Sequence, residues 1–468
     1  MKRHRHSNRA RRIVWLFLGT VGALVAPVGA VPIIGVQNAA LDQPRINAAL
    51  RLPGESGPLV GVTTDFFGNT FETFNIQAFY DTGASGILVS QETASVLGLS
   101  TFENIVFEDV GIGGTEAFDV SEEVFVHLAP FTASQGGIDD RPQFSSVYTQ
   151  QFGPHRLQVN PHSVDPFVGI PLDVFGMPLF AGKVVAMDAR PVNQVIGTID
   201  TTVYDAGAPM PGVPAPDLSI QMSFADFSRF TQTLQDDGQG NMTPIDPAVS
   251  GPSLADNPFI GPNPLAGGGG VGVGVNSGVR ISFDGMSSTG SWLFDTGASA
   301  SIVSTGHANA VGVQYRAGAG PGSSLPRLER ISDGTLLPSQ FTLTIGGIGG
   351  STTVSGFFAD SLVVPTIEGD PLEYLPAPML VADITVVDPN TQEVITLDGV
   401  FGMNYLVASL FVDGFIFGDL VGGPFEWLVF DQTTGILGLT FDPNLEIPEP
   451  ILAAWLLPLL LLRRRQYR

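Results

Sequence analysis

The stretch Asp81-Thr82-Gly83-Ala84-Ser85 decides the fold, because it recurs unchanged as Asp295-Thr296-Gly297-Ala298-Ser299. The two copies begin 214 positions apart (295 − 81). Each copy follows apolar and aromatic residues, and each continues into a short apolar segment that ends in serine, at Ser90 and Ser304. A single Asp-Thr-Gly arises easily by chance, whereas two extended copies with matching flanks do not. The repeat therefore predicts a duplicated structural unit.

The residues of this stretch suit an acid held at the end of a strand. A buried carboxylate is costly unless its oxygens accept hydrogen bonds, and a glycine two positions later lets a backbone N–H approach closely. Two such loops facing each other would bring Asp81 and Asp295 together, and such a pair would hold one proton between them. One carboxylate could then activate water while the other protonates a carbonyl oxygen, which is chemistry for hydrolysing an amide.

At these residues the chain resembles the pepsin-like and retropepsin-like aspartic peptidases. Their hallmark is Asp-Thr-Gly after an apolar strand, with a later apolar-apolar-Gly beside it. Phe167-Val168-Gly169-Ile170 and Val400-Phe401-Gly402-Met403 offer that second part, 88 residues (169 − 81) and 107 residues (402 − 295) after the aspartates. The resemblance implies a mostly β, bilobal fold of two pseudo-twofold-related, β-barrel-like lobes with a cleft between them.

The same resemblance implies a role for each residue of the repeat. Asp81 and Asp295 would be the catalytic pair, Thr82 and Thr296 would brace the loops, and Gly83 and Gly297 would present backbone N–H groups. Ser85 and Ser299 would be donors behind the carboxylates. Ala84 and Ala298 stand where a hydroxyl could donate to the neighbouring carboxylate. Alanine cannot donate, so we expect higher pKa values for the pair and a less acidic working pH.

Two glycine-rich stretches are candidates for a mobile hairpin over the substrate. Gly111, Ile112, Gly113 and Gly114 lie about 30 residues after Asp81, where the family places its flap, and an ordinary hairpin turn is the alternative. The tyrosine that the pepsin branch carries there is absent from 105–120. The stretch 345–350 resembles a retropepsin flap, but it comes late after Asp295, so an ordinary hairpin is favoured there.

Composition limits the classes of function. The formal net charge is −24, yet ten of the 21 basic residues lie in 1–12 and 463–468, so 31–450 carries 11 basic residues against 45 acidic ones. This excess of acidic residues argues against nucleic acid as a partner, because the phosphate backbone is negatively charged. The chain has no cysteine, which excludes thiolate metal sites and cysteine nucleophiles. A metal site at His155, His162 and Asp165 is conceivable, but solvated loop histidines are favoured. We expect no metal and no cofactor.

Both ends of the chain carry targeting patterns. Residues 1–30 combine a basic start, an apolar run and small residues, which predicts a secretory signal peptide, with a short membrane anchor as the alternative. At the other end Pro448-Glu449-Pro450 precedes the apolar run 451–462 and three arginines. This order resembles the PEP-CTERM sorting tail of certain bacteria with an outer membrane; an ordinary tail anchor is the alternative. The tail resemblance implies partners that sort and process it.

The remaining sequence predicts the domain plan. Residues 31–55 are a lead-in, 56–204 a first lobe, 205–270 a linker or surface loop, 271–446 a second lobe and 447–468 the sorting tail. Short helices are predicted after Ser90 and Ser304, and the segment 427–441 predicts a closing β-hairpin. Within 205–270, the segment 218–234 has the apolar spacing of a strand and short helix that could join the lobes.

These observations predict an exported aspartic endopeptidase that acts on extended polypeptide as a monomer. It would work in the periplasm, at the cell surface or outside the cell, held transiently or permanently in the membrane by its tail, and nucleic acid is not expected as a partner. The alternative is a catalytically silent surface protein that keeps an aspartic-peptidase fold. Both aspartates, both threonines and both glycines are intact, which favours the enzyme.

Overall fold

A computed structural model describes residues 29–64, 68–111, 114–132, 144–160, 172–194, 197–266 and 277–443. The fold is mostly β, as predicted. The predicted signal peptide, up to residue 28, and the sorting tail lie outside the described residues. Of the helices within the described ranges, none has the length and apolar character needed to span a membrane.

The strands as far as residue 205 are β1 Val31–Ile34, β2 Ala39–Ala40, β3 Arg45–Arg51, β4 Gly61–Thr64, β5 Thr70–Thr73, β6 Ile76–Tyr80, β7 Ile87–Ser90, β8 Thr101–Gly111, β9 Gly114–Ser121, β10 Val124–Ala129, β11 Gln150–His155, β12 Gln158–Asn160, β13 Val174–Phe175, β14 Lys183–Asp188 and β15 Asp200–Asp205.

The strands of the rest of the chain are β16 Leu218–Ala225, β17 Gln232–Asp236, β18 Met242–Pro244, β19 Asn257–Ile260, β20 Val279–Phe283, β21 Met286–Gly290, β22 Trp292–Phe294, β23 Ile302–Val303, β24 Val313–Tyr315, β25 Leu328–Arg330, β26 Gln340–Gly347, β27 Gly350–Ala359, β28 Ser361–Val364, β29 Leu372–Leu375, β30 Ala377–Val381, β31 Thr385–Val387, β32 Val394–Thr396, β33 Gly399–Phe401, β34 Ser409–Asp413, β35 Ile416–Val421, β36 Phe425–Asp431 and β37 Ile436–Phe441.

The helices are short. They are α1 Gln91–Leu97, α2 Phe144–Val147, α3 Arg190–Asn193, α4 Pro247–Ser250 and α5 Thr305–Ala310, with 3₁₀ turns at Met177–Leu179, Ser228–Phe230 and Met403–Tyr405. The two predicted helices are confirmed, and the same device starts both. Ser90 accepts from the Thr93 N–H at 3.0 Å and Ser304 from the His307 N–H at 3.3 Å, so each serine caps the helix that follows it.

The repeat in the sequence is also a repeat in the fold. One large sheet contains the order β6-β13-β7-β12-β9-β8, and the other contains β22-β33-β23-β30-β27-β26. Strand directions match as well, because β13 runs parallel to β6 and antiparallel to β7, while β33 runs parallel to β22 and antiparallel to β23. The unit that was duplicated therefore extends from the strand before each aspartate to the hairpin beyond it.

The region 205–270, predicted to be a linker, contributes strands to both large sheets. β16 lies between β37 and β19 in the second sheet, and β17 pairs with β8 in the first. The strand expected within 218–234 is therefore confirmed, although the surrounding region is not an isolated linker. Pro and Gly mark its turns, but the short strands between them are stabilised by pairing with distant partners, which local composition does not show.

The lead-in 31–55 is also built into the sheets. β1 pairs in parallel with β29, β2 pairs with β34, and β3 lies between β10 and β6. The Asn38 side chain is buried and exchanges two hydrogen bonds of 2.7 Å with the backbone of Val412. The first described residues therefore complete the structure around the second repeat.

Candidate active site

The two Asp-Thr-Gly loops are joined by four reciprocal hydrogen bonds. The Thr82 hydroxyl donates to the Phe294 carbonyl at 2.6 Å and accepts from the Thr296 N–H at 3.1 Å. The Thr296 hydroxyl donates to the Tyr80 carbonyl at 2.6 Å and accepts from the Thr82 N–H at 3.1 Å. Both threonines are completely buried, so each bond is made away from water. The distances are the same in the two directions, which makes the junction symmetric.

This junction brings the two predicted aspartates into contact. The carboxyl groups of Asp81 and Asp295 are hydrogen-bonded to each other. Asp81 also accepts from the N–H groups of Gly83 at 2.7 Å and Ala84 at 3.2 Å, whereas Asp295 accepts from the Ala298 N–H at 2.9 Å. Both aspartates are half-buried, so the pair keeps access to solvent.

Each glycine of the repeat packs against the opposite carboxyl group. A Cβ on Gly83 would lie 2.5 Å from Asp295 Cγ, and a Cβ on Gly297 would lie 2.7 Å from Asp81 Oδ1. Both distances are far below a van der Waals contact. Glycine is therefore required at both positions by the approach of the acid across the junction.

The pair is set up to hold one proton. Burial raises the pKa of Asp81, while the hydrogen bonds from Asp295, Gly83 and Ala84 lower it again. Burial also raises the pKa of Asp295, and the neighbouring charge of Asp81 raises it further, well above the usual range. Because two close carboxylates cannot both ionise easily, the pair retains one proton that the two aspartates share.

A matching strand supports each aspartate from the side. The Asp81 N–H donates to the Phe175 carbonyl at 3.0 Å and the Asp295 N–H to the Phe401 carbonyl at 3.1 Å. Gly176 and Gly402 follow these phenylalanines. The next backbone N–H groups bind the loops: that of Met177 donates to the Ala84 carbonyl, and that of Met403 donates to the Ala298 carbonyl.

The sequence predicted the first of these strands, β13, in the wrong stretch. The place in the fold that it assigned to 167–170 is occupied by Val174, Phe175 and Gly176, and 167–170 lie outside the described residues. Both stretches read apolar-apolar-glycine, and only the pairing with β6 and β7 distinguishes them.

Two amide side chains that the sequence analysis missed hold the loops from behind. Asn257 Nδ2 donates to the carbonyls of Thr82 and Gly83 at 3.1 and 3.0 Å, and Gln43 Nε2 donates to the Gly297 carbonyl. Each amide belongs to one repeat and binds the loop of the other. Gln43 stands just before β3, which pairs with β6 of the first repeat, and binds the loop of the second repeat. Asn257 is the first residue of β19, which pairs with β22 of the second repeat, and binds the loop of the first repeat. No sequence motif marks these amides. The only signal that could have identified them is that both stand at or just before the start of equivalent strands.

Ser85 and Ser299 make their described contacts through the backbone. The Ser85 carbonyl accepts from the Ala255 N–H at 2.8 Å and the Ser299 carbonyl from the Ala40 N–H at 2.6 Å. Within the described ranges neither hydroxyl donates directly to an aspartate of the pair, and their role as donors behind the carboxylates stays a prediction. These serines therefore anchor the ends of the loops.

The two glycine-rich stretches are the tips of twin hairpins. We name β8–β9 the first hairpin and β26–β27 the second hairpin; they occupy equivalent places in the two sheets. Gly111 pairs with Gly114 at the first tip and Gly347 with Gly350 at the second, while Ile112 and Gly113 lie outside the described residues. The second hairpin, for which an ordinary role was favoured, is thus the counterpart of the first.

The tips of the twin hairpins touch each other. A Cβ on Gly111 would lie 2.7 Å from Ile348 Cβ, and the Gly349 N–H donates to the Glu116 carboxylate at 2.9 Å. Ile348 also packs on the apolar cluster of the first hairpin, which includes Phe107 and Phe118. The hairpins therefore form one continuous bridge between the two repeats.

Other candidate chemistry is not assembled by the described residues. Nowhere in the described ranges do three or more metal-binding side chains come together. His155 Nδ1 lies 3.0 Å from the Ser253 hydroxyl, while His162 and Asp165 fall outside the described ranges. Among the described residues, the candidate catalytic group is therefore the pair Asp81 and Asp295.

Comparison with known proteins identified no related family or protein. No protein-family model matches the chain, and no curated protein sequence matches it. Function is therefore argued from the geometry of the site.

Proposed function

We propose that this chain is an exported aspartic endopeptidase on a bilobal, pepsin-like acid-protease fold. The observation that carries the proposal is the symmetric threonine junction, which holds the carboxyl groups of Asp81 and Asp295 against each other. The ionised carboxylate accepts a proton from water as it attacks the peptide carbonyl. The protonated one donates to the carbonyl oxygen, which gives a tetrahedral diol without an acyl-enzyme. The diol then collapses and the C–N bond breaks: the amide nitrogen takes the proton that came from water, and a diol hydroxyl returns its proton to the other carboxylate.

The twin hairpins support an extended polypeptide as the substrate. Their edges can pair with a strand-like chain lying between them and the paired aspartates, which gives affinity through the main chain. Opening of the contact between Gly349 and Glu116 would admit the substrate and its closure would exclude water. The hairpins thus supply the part of the site that moves, while the threonine junction supplies the part that stays rigid.

The pH dependence follows from the pair. Activity needs one carboxyl group ionised and one protonated, and burial raises the pKa of both. Ala84 and Ala298 offer no hydroxyl that could offset this by stabilising the charged form. We expect the rate of cleavage to peak above about pH 4, and a profile of kcat/KM that peaks well below that pH would contradict this account.

The test is cleavage of an unfolded protein substrate by the full chain. Asp81→Asn and Asp295→Asn should each lower the rate by at least about a thousandfold, while Asp419→Asn, which removes an exposed carboxylate, should leave it unchanged. Cleavage that survives either substitution would exclude the pair. If no form cleaves and a transition-state-mimicking inhibitor does not bind, the alternative of a silent surface protein on this fold is favoured.

The setting of the activity follows from the ends of the chain. From the predicted signal peptide and sorting tail we expect the chain to act in the periplasm, at the cell surface or outside the cell, held transiently or permanently in the membrane. The polypeptide substrate and the machinery that sorts the tail are the expected partners, and neither a metal nor a cofactor is required by the chemistry.

A further inference from the structure

The hairpin β34–β35 projects an apolar tip into solvent. Phe415, Ile416 and Phe417 are 86%, 70% and 71% exposed, and they are consecutive. Gly414 and Gly418 flank them, so the tip 414–418 carries no charged side chain. Three adjacent large apolar residues at this exposure are costly in water, and soluble proteins keep such patches for contacts.

Hydrogen bonds to Thr342 hold the root of the tip. The Asp413 carboxylate at its root accepts from the Thr342 N–H at 3.0 Å and from the Thr342 hydroxyl at 2.8 Å. The Gly414 N–H donates to the Thr342 carbonyl at 2.8 Å, and Val412 is buried. Ile416 and Phe417 are consecutive in β35 and extend to opposite faces, so the tip is apolar on both faces.

The described chain ends beside this hairpin. The Asp442 N–H donates to the Pro424 carbonyl at 3.0 Å, and Pro424 lies three residues (424 − 421) after the last residue of β35. From Pro443 to Ile451, where the apolar run begins, eight residues (451 − 443) can reach about 28 Å, whereas the tip projects roughly 17 Å from the end of β35. A membrane that holds the tail is therefore within reach of the tip.

We propose that the tip 414–418 inserts into the bilayer that holds the sorting tail and acts as a second membrane contact. The twelve apolar residues of the tail fall short of the roughly 20 that a full span needs, and stable anchoring generally requires two weak signals. Phenylalanine and isoleucine side chains suit the acyl boundary of a lipid surface, and the nearest charged residues, Asp413 and Asp419, lie at the root of the tip rather than within 414–418. The body carries many more acidic than basic residues, so the contact is apolar and favours zwitterionic lipid over anionic lipid.

The absence of cysteine makes a direct test possible. The variant Phe417→Cys carries an environment-sensitive fluorophore on the full chain, reconstituted in phosphatidylcholine vesicles that contain nitroxide-labelled lipid. The control is Val394→Cys, which replaces another exposed apolar residue on a different hairpin. We expect the label at 417 to shift to the blue and to be quenched several-fold more strongly than the label at 394. Equal quenching at the two positions overturns the proposal. A blue shift without nitroxide quenching also overturns it, because the tail or a second copy then covers the tip.

A second measurement does not depend on labelling. The double substitution Phe415→Ser and Phe417→Ser should weaken partition of the full chain to these vesicles by about tenfold or more, because two exposed aromatic side chains lose their burial in lipid. The pair Val387→Ser and Val394→Ser is the matched control and should change nothing. An unchanged partition with an unchanged circular dichroism spectrum rejects the tip as a contact, whether or not the chain is a peptidase.

Discussion

At the scale of single residues, the space beside Gly83 is occupied by the carboxyl group of Asp295, and the space beside Gly297 by that of Asp81. Each glycine lies against the carboxyl group that belongs to the opposite loop, so a change at one glycine acts on the opposite aspartate. The threonine junction cannot widen to relieve a clash, because its hydrogen bonds are buried and reciprocal.

We predict that Gly297→Ala abolishes activity and lowers the free energy of unfolding by about 1–3 kcal/mol, because the new Cβ forces Asp81 out of place. Cleavage assays and urea unfolding measure the two effects. Gly57→Ala is the control, since a Cβ there meets nothing within 4 Å. Full activity in Gly297→Ala would show that the loops are not packed as described.

Asp109 gives a prediction for pH. Its carboxyl group is buried on the first hairpin, where it accepts from the Val110 N–H at 2.8 Å and from Gln158 Nε2 at 3.2 Å, and burial raises its pKa to about 6. A folded-state pKa above the unfolded value of about 3.9 gives stability that is complete below that pH and is lost as the pH rises through about 6.

Asp109→Asn should therefore gain stability relative to the native chain between pH 4 and pH 8, by up to about 3 kcal/mol. Urea unfolding at the two pH values measures the difference. Parallel pH dependences for the two proteins would mean that Asp109 does not titrate in this range.

The sequence predicted the residues of the junction but not those behind it. The exact repeat of five residues identifies both loops, because only a constrained loop keeps glycine and threonine at the same places twice. Gln43 and Asn257 have no such signature, since an amide that caps a loop carbonyl can stand on any nearby segment. Val174-Phe175-Gly176 was missed for a related reason, because local pattern cannot choose between two apolar-apolar-glycine stretches seven residues apart (176 − 169).

At the scale of elements, the twin hairpins show how duplication shapes the molecule. Their strands occupy equivalent positions in two sheets, yet their tips differ in sequence and interlock. Glycines at both tips were visible in the sequence. That the tips meet could not be predicted, since it depends on how the two repeats face each other.

We predict that Glu116→Ala loosens the second tip, because the Gly349 N–H loses its acceptor. Deuterium uptake over 345–352, followed by mass spectrometry, should rise several-fold. Glu116→Gln should show a smaller change, since an amide oxygen can still accept, and Glu103→Ala, which removes an exposed acid from the other strand of the same hairpin, should show none. Unchanged uptake in Glu116→Ala would argue that the tips do not hold each other.

At the scale of the whole molecule, the first residues after the predicted signal peptide stabilise the far half of the chain. Asn38 satisfies both backbone groups of Val412, which would otherwise be buried without partners. The predicted lead-in and linker were the weakest part of the sequence analysis. Their strands are short and pair with distant segments, whereas the closing hairpin β36–β37 pairs locally and was predicted correctly.

Asn38→Ala should lower the free energy of unfolding by about 2–4 kcal/mol, because it leaves a buried N–H and a buried carbonyl without partners. Thermal and urea unfolding of the full chain measure the loss. Gln239→Ala, which removes an exposed amide, is the control and should be neutral. A neutral Asn38→Ala would mean that the N-terminal segment is not required by the second half.

The pairing of β1 with β29 has a consequence for biogenesis. Val31 and Leu372 are partners although 341 residues (372 − 31) separate them, so the portion of the polypeptide that leaves the ribosome first finds its place only after most of the rest has been synthesised. Until then the second repeat is unfinished, because its strands β30 and β33 follow residue 372. Under the proposed function, hydrolytic activity would therefore arise only after most of the chain has been synthesised, which would protect the cell that makes it.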